Sequence, residues 1–364
     1  MMPLPPLIGH LQTRRRLAHA LRAGTLPQVL LFTGTTGIGK QRLALWLAQL
    51  MYCERAGLEP CESCRACRLV SGLAHADLHW FVPITRPKAG DPDKQVDEAA
   101  EALAGVMEER RKRPLYAPAD GMASHSIASA RLLQRRAALT SVEGGPRVFI
   151  IGEADRLVPQ ESSPEAANAM LKLLEEPPAG AQFLLTTTDP RRLLPTIRSR
   201  AAPMRLQRLS DDEVRAFLAQ HTEPLWSTEQ IEMRTAPAAG SIGLALSEGD
   251  ETGKAYRSAE QLLEAVIEGR GPALERAMGQ AAFAARGDFA AMLDALADTL
   301  GEAARGTMGQ PVRRAVPSAL LRHRTPGPLL QALEKVAEAR ESASGNVNPQ
   351  LLLAVLSEDL AEVL

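Results

Sequence analysis

The sequence predicts an α/β protein, a parallel sheet carrying a phosphate loop, followed by a long all-helical region. Three observations carry that prediction. The apolar strand Val29–Thr33 runs straight into Gly34-Thr35-Thr36-Gly37-Ile38-Gly39-Lys40 and then into an amphipathic helix. Two further apolar runs, 148–151 and 183–187, alternate with helical patterns, and from Ser210 onward the apolar spacing is almost entirely helical.

Taken in order, 14–22 places Leu17, Ala18 and Leu21 at helical spacing until Gly24 and Pro27 break the pattern. After the strand and the Gly-rich turn, 41–52 puts Leu43, Ala44, Leu47, Ala48 and Met51 on one helical face. Strand, Gly-rich loop and helix form the context a phosphate loop needs, because successive backbone N–H groups and the helix N-terminus surround an anion. Gly34, Gly37, Gly39 and Lys40 are the candidate phosphate contacts. The pattern G-x-x-x-x-G-K-[ST] ends in a hydroxyl that anchors Mg²⁺, and here that place is taken by Gln41. Two readings stay open: weak nucleotide binding (ATP or ADP) without a metal anchor, or a loop that keeps its shape for packing alone.

All four cysteines lie within residues 53–67, as Cys53-x7-Cys61-x2-Cys64-x2-Cys67. Two C-x2-C steps sharing Cys64 bring four thiols to one point, the donor set of a closed, structural Zn²⁺ site. Such a shell has no open position and does no chemistry. Reduced, unliganded thiols and a disulfide framework are the other readings. His10, His75, His79 and His125 have no spacing that competes with the thiols and are expected to be structural or solvent-facing.

Residues 83–125 read as an insertion holding one amphipathic helix. Asp91-Pro92 starts it, Val96, Ala99, Leu103 and Val106 make its apolar face, and Arg110-Arg111-Lys112-Arg113 ends it favourably for the helix dipole. That basic quartet reads as a solvated face, with contact to DNA phosphates as the alternative. The strand 148–151 then runs into Gly152-Glu153-Ala154-Asp155. In phosphate-loop ATPases an Asp after such a strand holds the metal, and Gly152 stands in that place. Glu153 remains a possible base with little to position Mg²⁺. Ser163 and Pro164 read as the cap and first residue of a helix whose stripe is Ala167, Met170, Leu171 and Leu174, stopped by Pro177-Pro178. The strand 183–187 follows, then a polar segment ending in Arg198-Ser199-Arg200. The expected division is an α/β domain over 1–208, a small helical domain over 209–250 with a break near Pro237-Ala238-Ala239-Gly240, and a helical domain over 251–364. In the last, 260–268, 283–300, 328–340 and 348–364 carry helical apolar spacing.

Length and charge bound the function. A chain of 364 residues exceeds what one hydrophobic core organises. A formal net charge of -1 argues against a surface that is wholly a nucleic-acid footprint, so proteins are expected to be the first partners. The start, Met1-Met2-Pro3-Leu4-Pro5-Pro6, is not a targeting segment and no stretch of 18 apolar residues occurs, so a cytoplasmic location without membrane contact is expected.

LLFTGTTGIGK ending at Lys40, the four-cysteine module, NAMLKLLEEPP over 168–178, LLTTTDPRRLLPTIRSR over 184–200 and AAGSIGLAL over 238–246 together resemble the AAA+ clamp-loader family of the bacterial replicative polymerase. The resemblance covers nearly the whole chain in order. It implies an AAA+ P-loop domain with a zinc module, a helical lid and a C-terminal collar that joins a hetero-oligomer with delta-type and gamma/tau-type subunits. Through that complex the partners are a sliding clamp and primed DNA. It also implies that Arg200 projects into a neighbour's ATP site as an arginine finger, the alternative being a surface or intramolecular ion pair. Ala201 replaces a family cysteine after it, and Gly243 stands where active members carry a phosphate-sensing arginine. Gln41, Gly152 and Gly243 together imply a chain that is not an ATPase by itself but a subunit of a DNA-directed DNA polymerase holoenzyme. An active clamp-loader ATPase is the runner-up, and a stand-alone zinc and nucleic-acid-binding module is the reading from another class.

Overall fold

A computed structural model describes residues 4–55, 57–115, 123–157, 165–222, 225–246, 252–280, 286–312, 316–322, 325–343 and 347–364. The chain divides into two compact units, Met1–Ser227 with Gly240–Leu246, and Thr228–Ala239 with Ser247–Leu364.

The first unit is built on five parallel strands, β1 (Val29–Thr33), β2 (Leu78–Phe81), β3 (Arg147–Ile151), β4 (Ala181–Thr187) and β5 (Ala202–Arg205), in the spatial order β2-β3-β4-β1-β5. The strands at the centre are apolar on both faces because helices cover both sides, which is why β3 and β4 are buried along their whole length. Phe149 and Phe183 stack across neighbouring strands at 5.1 Å, and Phe32, Phe149 and Phe183 are fully buried. Each such ring contributes about 1.5–3 kcal/mol of burial. At the start of β3, buried Arg147 donates to the carbonyls of Ala137 (2.6 Å) and Ala179 (3.0 Å), so the charge enters the core edge with its donors satisfied.

Among the described residues this unit also holds α1 (Leu11–Arg22), α2 (Lys40–Tyr52), α3 (Arg65–Ser71), α4 (Pro92–Lys112), α5 (Ile127–Ala138), α6 (Glu165–Glu175), α7 (Pro195–Arg200) and α8 (Asp211–His221). Their starts follow from local chemistry. Asp91 caps α4 by accepting from Asp93 N and Lys94 N, and Ser210 with Glu213 closes a capping box on α8. Val96, Ala99 and Leu103 of α4 are buried, as the spacing predicts. Ser163 and Pro164, read as the start of α6, lie outside the described residues.

The second unit is helical among its described residues. It contains α9 (Thr228–Ala238); the short helix α10 (Ile242–Leu246) returns to the first unit, and α11 (Thr252–Glu268), α12 (Arg270–Met278), α13 (Arg286–Thr307), α14 (Gly327–Ser342) and α15 (Pro349–Val363) follow in the second. Leu262, Leu263, Leu293, Leu296, Leu300, Leu329, Val336, Leu353 and Leu360 form its core. Asn348 caps α15 by accepting from Gln350 N, with Pro349 in the first turn. The sequence pattern misses α12 and places Pro237 at a break, whereas that proline sits inside the last turn of α9. Phe283, where the second of these expected helices began, lies outside the described residues. Among the described residues no helix is long and apolar enough to cross a membrane.

Candidate metal centre and phosphate loop

Helix α2 links two sites, the phosphate loop at its N-terminus and the cysteines just past its C-terminus. Cys53 follows its last residue, Cys61 lies in the next turn, Cys64 caps α3 and Cys67 sits in the first turn of α3. The four sulfurs lie within 4.8 Å of one another. Backbone N–H groups point at them: Cys61 N donates to Cys53 Sγ (3.4 Å), Cys64 N to Cys61 Sγ (3.3 Å) and Cys67 N to Cys64 Sγ (3.4 Å). These donors favour thiolate over thiol. The backbone N–H of Ser63, then that of Cys64, draws the Cys61 thiol down to about 6, while burial pushes Cys67 up. A buried thiol held among three others gains most from a cation at their centre, and four cysteines so placed have the donor set for one. The module is anchored on both sides. Gln49 of α2 donates to Cys67 O (3.1 Å), and Arg65 makes a two-pronged pair with Glu143 (2.7 and 3.1 Å).

At the other end of α2 the loop has the shape its sequence predicts, but its cation faces inward. Lys40 is buried and its Nζ donates to the carbonyls of Gly34 (2.8 Å) and Thr35 (2.7 Å). Burial pulls its ammonium down to about 8, with Asp155 and Glu153 opposing the shift. The start of α10 closes on the loop from above: Ser241 Oγ donates to Thr36 O (2.8 Å) and Gly243 N to Gly37 O (2.9 Å). Gly37 has φ +73°, and a Cβ there would sit 2.4 Å from Ser241 Oγ and 2.8 Å from Gly243 Cα. The start of α10 thus rests on the loop backbone itself, where Gly243 presents no side chain.

Gln41 and Gly152 meet. A Cβ at Gly152 would lie 2.8 Å from the amide carbon, nitrogen and oxygen of Gln41, so the missing side chain at one position makes room for the larger one at the other. Gln41 Oε1 accepts from Trp80 Nε1 (3.1 Å) and lies 3.5 Å from Arg110 Nη1. Glu153 has φ +52° and pairs with Arg156 at 3.0 Å, and burial raises its pKa. Thr187 Oγ1 donates to Asp155 at 2.6 Å, and His125 Nε2 lies 2.7 Å from Gly152 O. Arg42 places a buried Nη1 here with no hydrogen-bond partner among the described residues; burial and Arg110 bring its pKa down to about 10.

The other histidines serve packing. His10 Nε2 lies 2.7 Å from Ile38 O, His75 stacks on Tyr52 at 3.8 Å and His79 on Phe149 at 5.0 Å. The basic quartet departs from its reading as a solvated face. Arg110 lies 4.0 Å above the Trp80 ring and Arg111 donates to Leu73 O (2.7 Å), because the apolar face of α4 turns these two inward onto the unit. Arg200 ends α7, donating to Thr196 O (2.7 Å) and pairing with Glu175, the last residue of α6. Residue spacing carries no sign of Trp80, Arg42 or Arg110 at the phosphate loop, since each is brought there by tertiary packing.

A family model described as "DNA polymerase III, delta subunit" matches residues 9–210. The DNA polymerase III subunit delta' of Bacillus subtilis is 28% identical over 268 residues, which covers 73% of this chain and 68% of that protein. The Escherichia coli subunit delta' is 26% identical over 347 residues, covering 94% and 91%. The tau subunit of Salmonella typhimurium is 30% identical over 253 residues, 67% of this chain but 32% of the longer tau protein.

Proposed function

The chain belongs to the DNA polymerase III delta-prime family of clamp-loader subunits, and on that premise we propose that it is the non-hydrolysing member of a hetero-oligomeric clamp loader. In this reading it supplies Arg200 to a neighbouring subunit's ATP site while the complex places a sliding clamp on primed DNA. The observation that carries the reading is the contact between Gln41 and Gly152. Metal-dependent hydrolysis needs a hydroxyl and a carboxylate to hold Mg²⁺ between those two positions, and here an amide fills the gap. Lys40, turned onto Gly34 O and Thr35 O, is no longer aimed at a phosphate. The active gamma/tau-type reading lacks the hydroxyl and the carboxylate it needs at positions 41 and 152.

Arg200 suits a role in trans. Its guanidinium is held at the surface by an ion pair with Glu175, and exposed pairs are worth about 0–1 kcal/mol, so a neighbour's phosphate can displace the carboxylate at little cost. The cysteine module fits Zn²⁺. A tetrahedral shell with Zn–S of about 2.3 Å separates its sulfurs by about 3.8 Å, and Cys61 Sγ and Cys67 Sγ are 3.9 Å apart. Cys53, Cys61, Cys64 and Cys67 would hold the ion, which would cross-link the turn after α2 to α3 and take no part in catalysis. The helices over 251–364 would form the collar.

The test is Arg200→Ala in a reconstituted complex with delta-type and gamma/tau-type subunits. Assembly should be unchanged, while DNA-stimulated ATP hydrolysis and clamp loading fall at least about two-fold. The effect should stay below the ~10³–10⁵ of a lone arginine finger in GTPases, because other subunits present their own. Arg200→Lys should rescue little, since an ammonium cannot form the planar fork. Unchanged rates in a correctly assembled complex would remove the finger.

A further inference from the structure

The inserted helix α4 reaches the place where a metal-bound nucleotide would sit. Its last turn lays the Arg110 guanidinium 4.0 Å above the Trp80 ring, and Trp80 itself donates to Gln41 Oε1 at 3.1 Å. Arg110 Nη1 stands 3.5 Å from the same oxygen, so one amide oxygen is approached by both donors. Behind the amide there is no space, because Gly152 backs directly onto it. The charge pattern agrees with the geometry. Glu153, which follows Gly152, is flanked by Arg156, Arg110 and Lys40, so side chains of this chain place positive charge where a divalent cation would otherwise stand. The helix is tied down independently by Arg111 to Leu73 O and by the ion pair of Arg135 with Asp93 in its first turn. Arg42 lies near enough to Arg110 to repel it, and Arg110 is nonetheless stacked on the Trp80 ring.

We propose that α4 is an internal plug for the former nucleotide site, with Arg110 latching the Gln41 amide and supplying beside Glu153 the positive charge of the absent cation. A loop that has lost its metal ligands still presents backbone N–H groups to any phosphate. The plug occupies the side of that loop at Gln41 and Glu153, so the subunit keeps one conformation whatever the nucleotide concentration. This rests on the reading of the loop as degenerate.

The experiment uses the full chain in two arms. In the first, hydrogen exchange and tryptophan emission compare the wild type with Arg110→Met. Exchange across 92–112 should rise at least about tenfold and Trp80 emission should shift. In the second, Gln41→Thr/Gly152→Asp restores a hydroxyl and a carboxylate, with and without Arg110→Met, and each protein is titrated with Mg²⁺ and N-methylanthraniloyl-ATP. The triple variant should bind at least about tenfold more tightly than the double. Unchanged protection of α4 in Arg110→Met would overturn the latch, and equal affinities of the double and triple variants would overturn the role of the Arg110 charge at the site. Mg²⁺-dependent ATP turnover by the wild-type chain would instead overturn the degenerate reading on which it rests. If the restored proteins do not fold, the exchange arm decides alone, since Arg110→Met is a single change on a partly exposed helix turn.

Discussion

Gly152→Ala should expose the coupling between Gln41 and Gly152 as a stability change. The added Cβ lands 2.8 Å from three atoms of the Gln41 amide, a distance real Cβ atoms do not occupy, and the amide is the movable partner. To escape, Gln41 must give up its bond from Trp80 Nε1, and Trp80 is 8% exposed. Leaving such a donor unmet costs about 1–3 kcal/mol. Against this, Gly→Ala at a tolerant backbone contributes about 0.4–1 kcal/mol of stability through the unfolded chain. The net is a loss of about 1–2 kcal/mol, or about 2–8 °C in Tm for a unit of this size. In a Gln41→Ala background the same change meets no side-chain amide and should be neutral or slightly stabilising. The cycle therefore predicts a coupling of about 1.5–3 kcal/mol. Trp46, Trp80 and Trp226 all lie in the first unit, so intrinsic fluorescence during denaturant unfolding reports that unit alone. Additivity of the two substitutions within about 0.5 kcal/mol would refute the contact as an energetic one.

Elemental analysis of protein purified without chelators should find one zinc per chain, and Cys67→Ser should lose it while the parallel sheet stays folded; a metal content near zero in the wild type would remove the zinc assignment. Stability of the first unit should fall as pH drops from about 6.5 toward 4. His125 is buried and titrates at about 4 when folded, against about 6.5 in the unfolded chain, so the unfolded state binds the extra proton across that window and stability rises with pH. The contribution is at most about 3 kcal/mol, and it should vanish from the pH profile of His125→Asn; superimposable profiles for the two proteins would show that the histidine is not the cause.

The central strands were legible because β1, β3 and β4 are continuous apolar runs, the signature of strands covered on both faces. The outer two were not. β2 is four residues long and half-exposed at its start, and β5 alternates exposure along Ala202–Arg205 and contains Pro203, which an edge tolerates because one side of its backbone faces no partner strand. Of the candidate sites, the thiol cluster is local in sequence and readable from spacing. The departures of Gln41 and Gly152 from the phosphate-loop ATPase pattern were also readable one by one. That they touch was not, and neither was Arg110, whose approach to Trp80 depends on how α4 packs; the charge run alone suggested a solvated face. The carbonyl end of α4 favours arginines whatever they meet there.

The strand order has a consequence for how the chain is made. β1 leaves the ribosome early, yet it has no neighbour among the strands that directly follow: Val29 pairs with Phe183 and Leu30 with Ala202. At about 5–20 residues per second, synthesis leaves this largely apolar strand without hydrogen-bonding partners for on the order of ten seconds. An unpaired apolar strand is a template for pairing with another nascent chain. The cysteine turn after α2 needs only residues 53–67 and can close as soon as they emerge. It offers an early fixed point behind α2, so that the helix which will pack against β3 and β4 is in place long before the sheet exists to receive it.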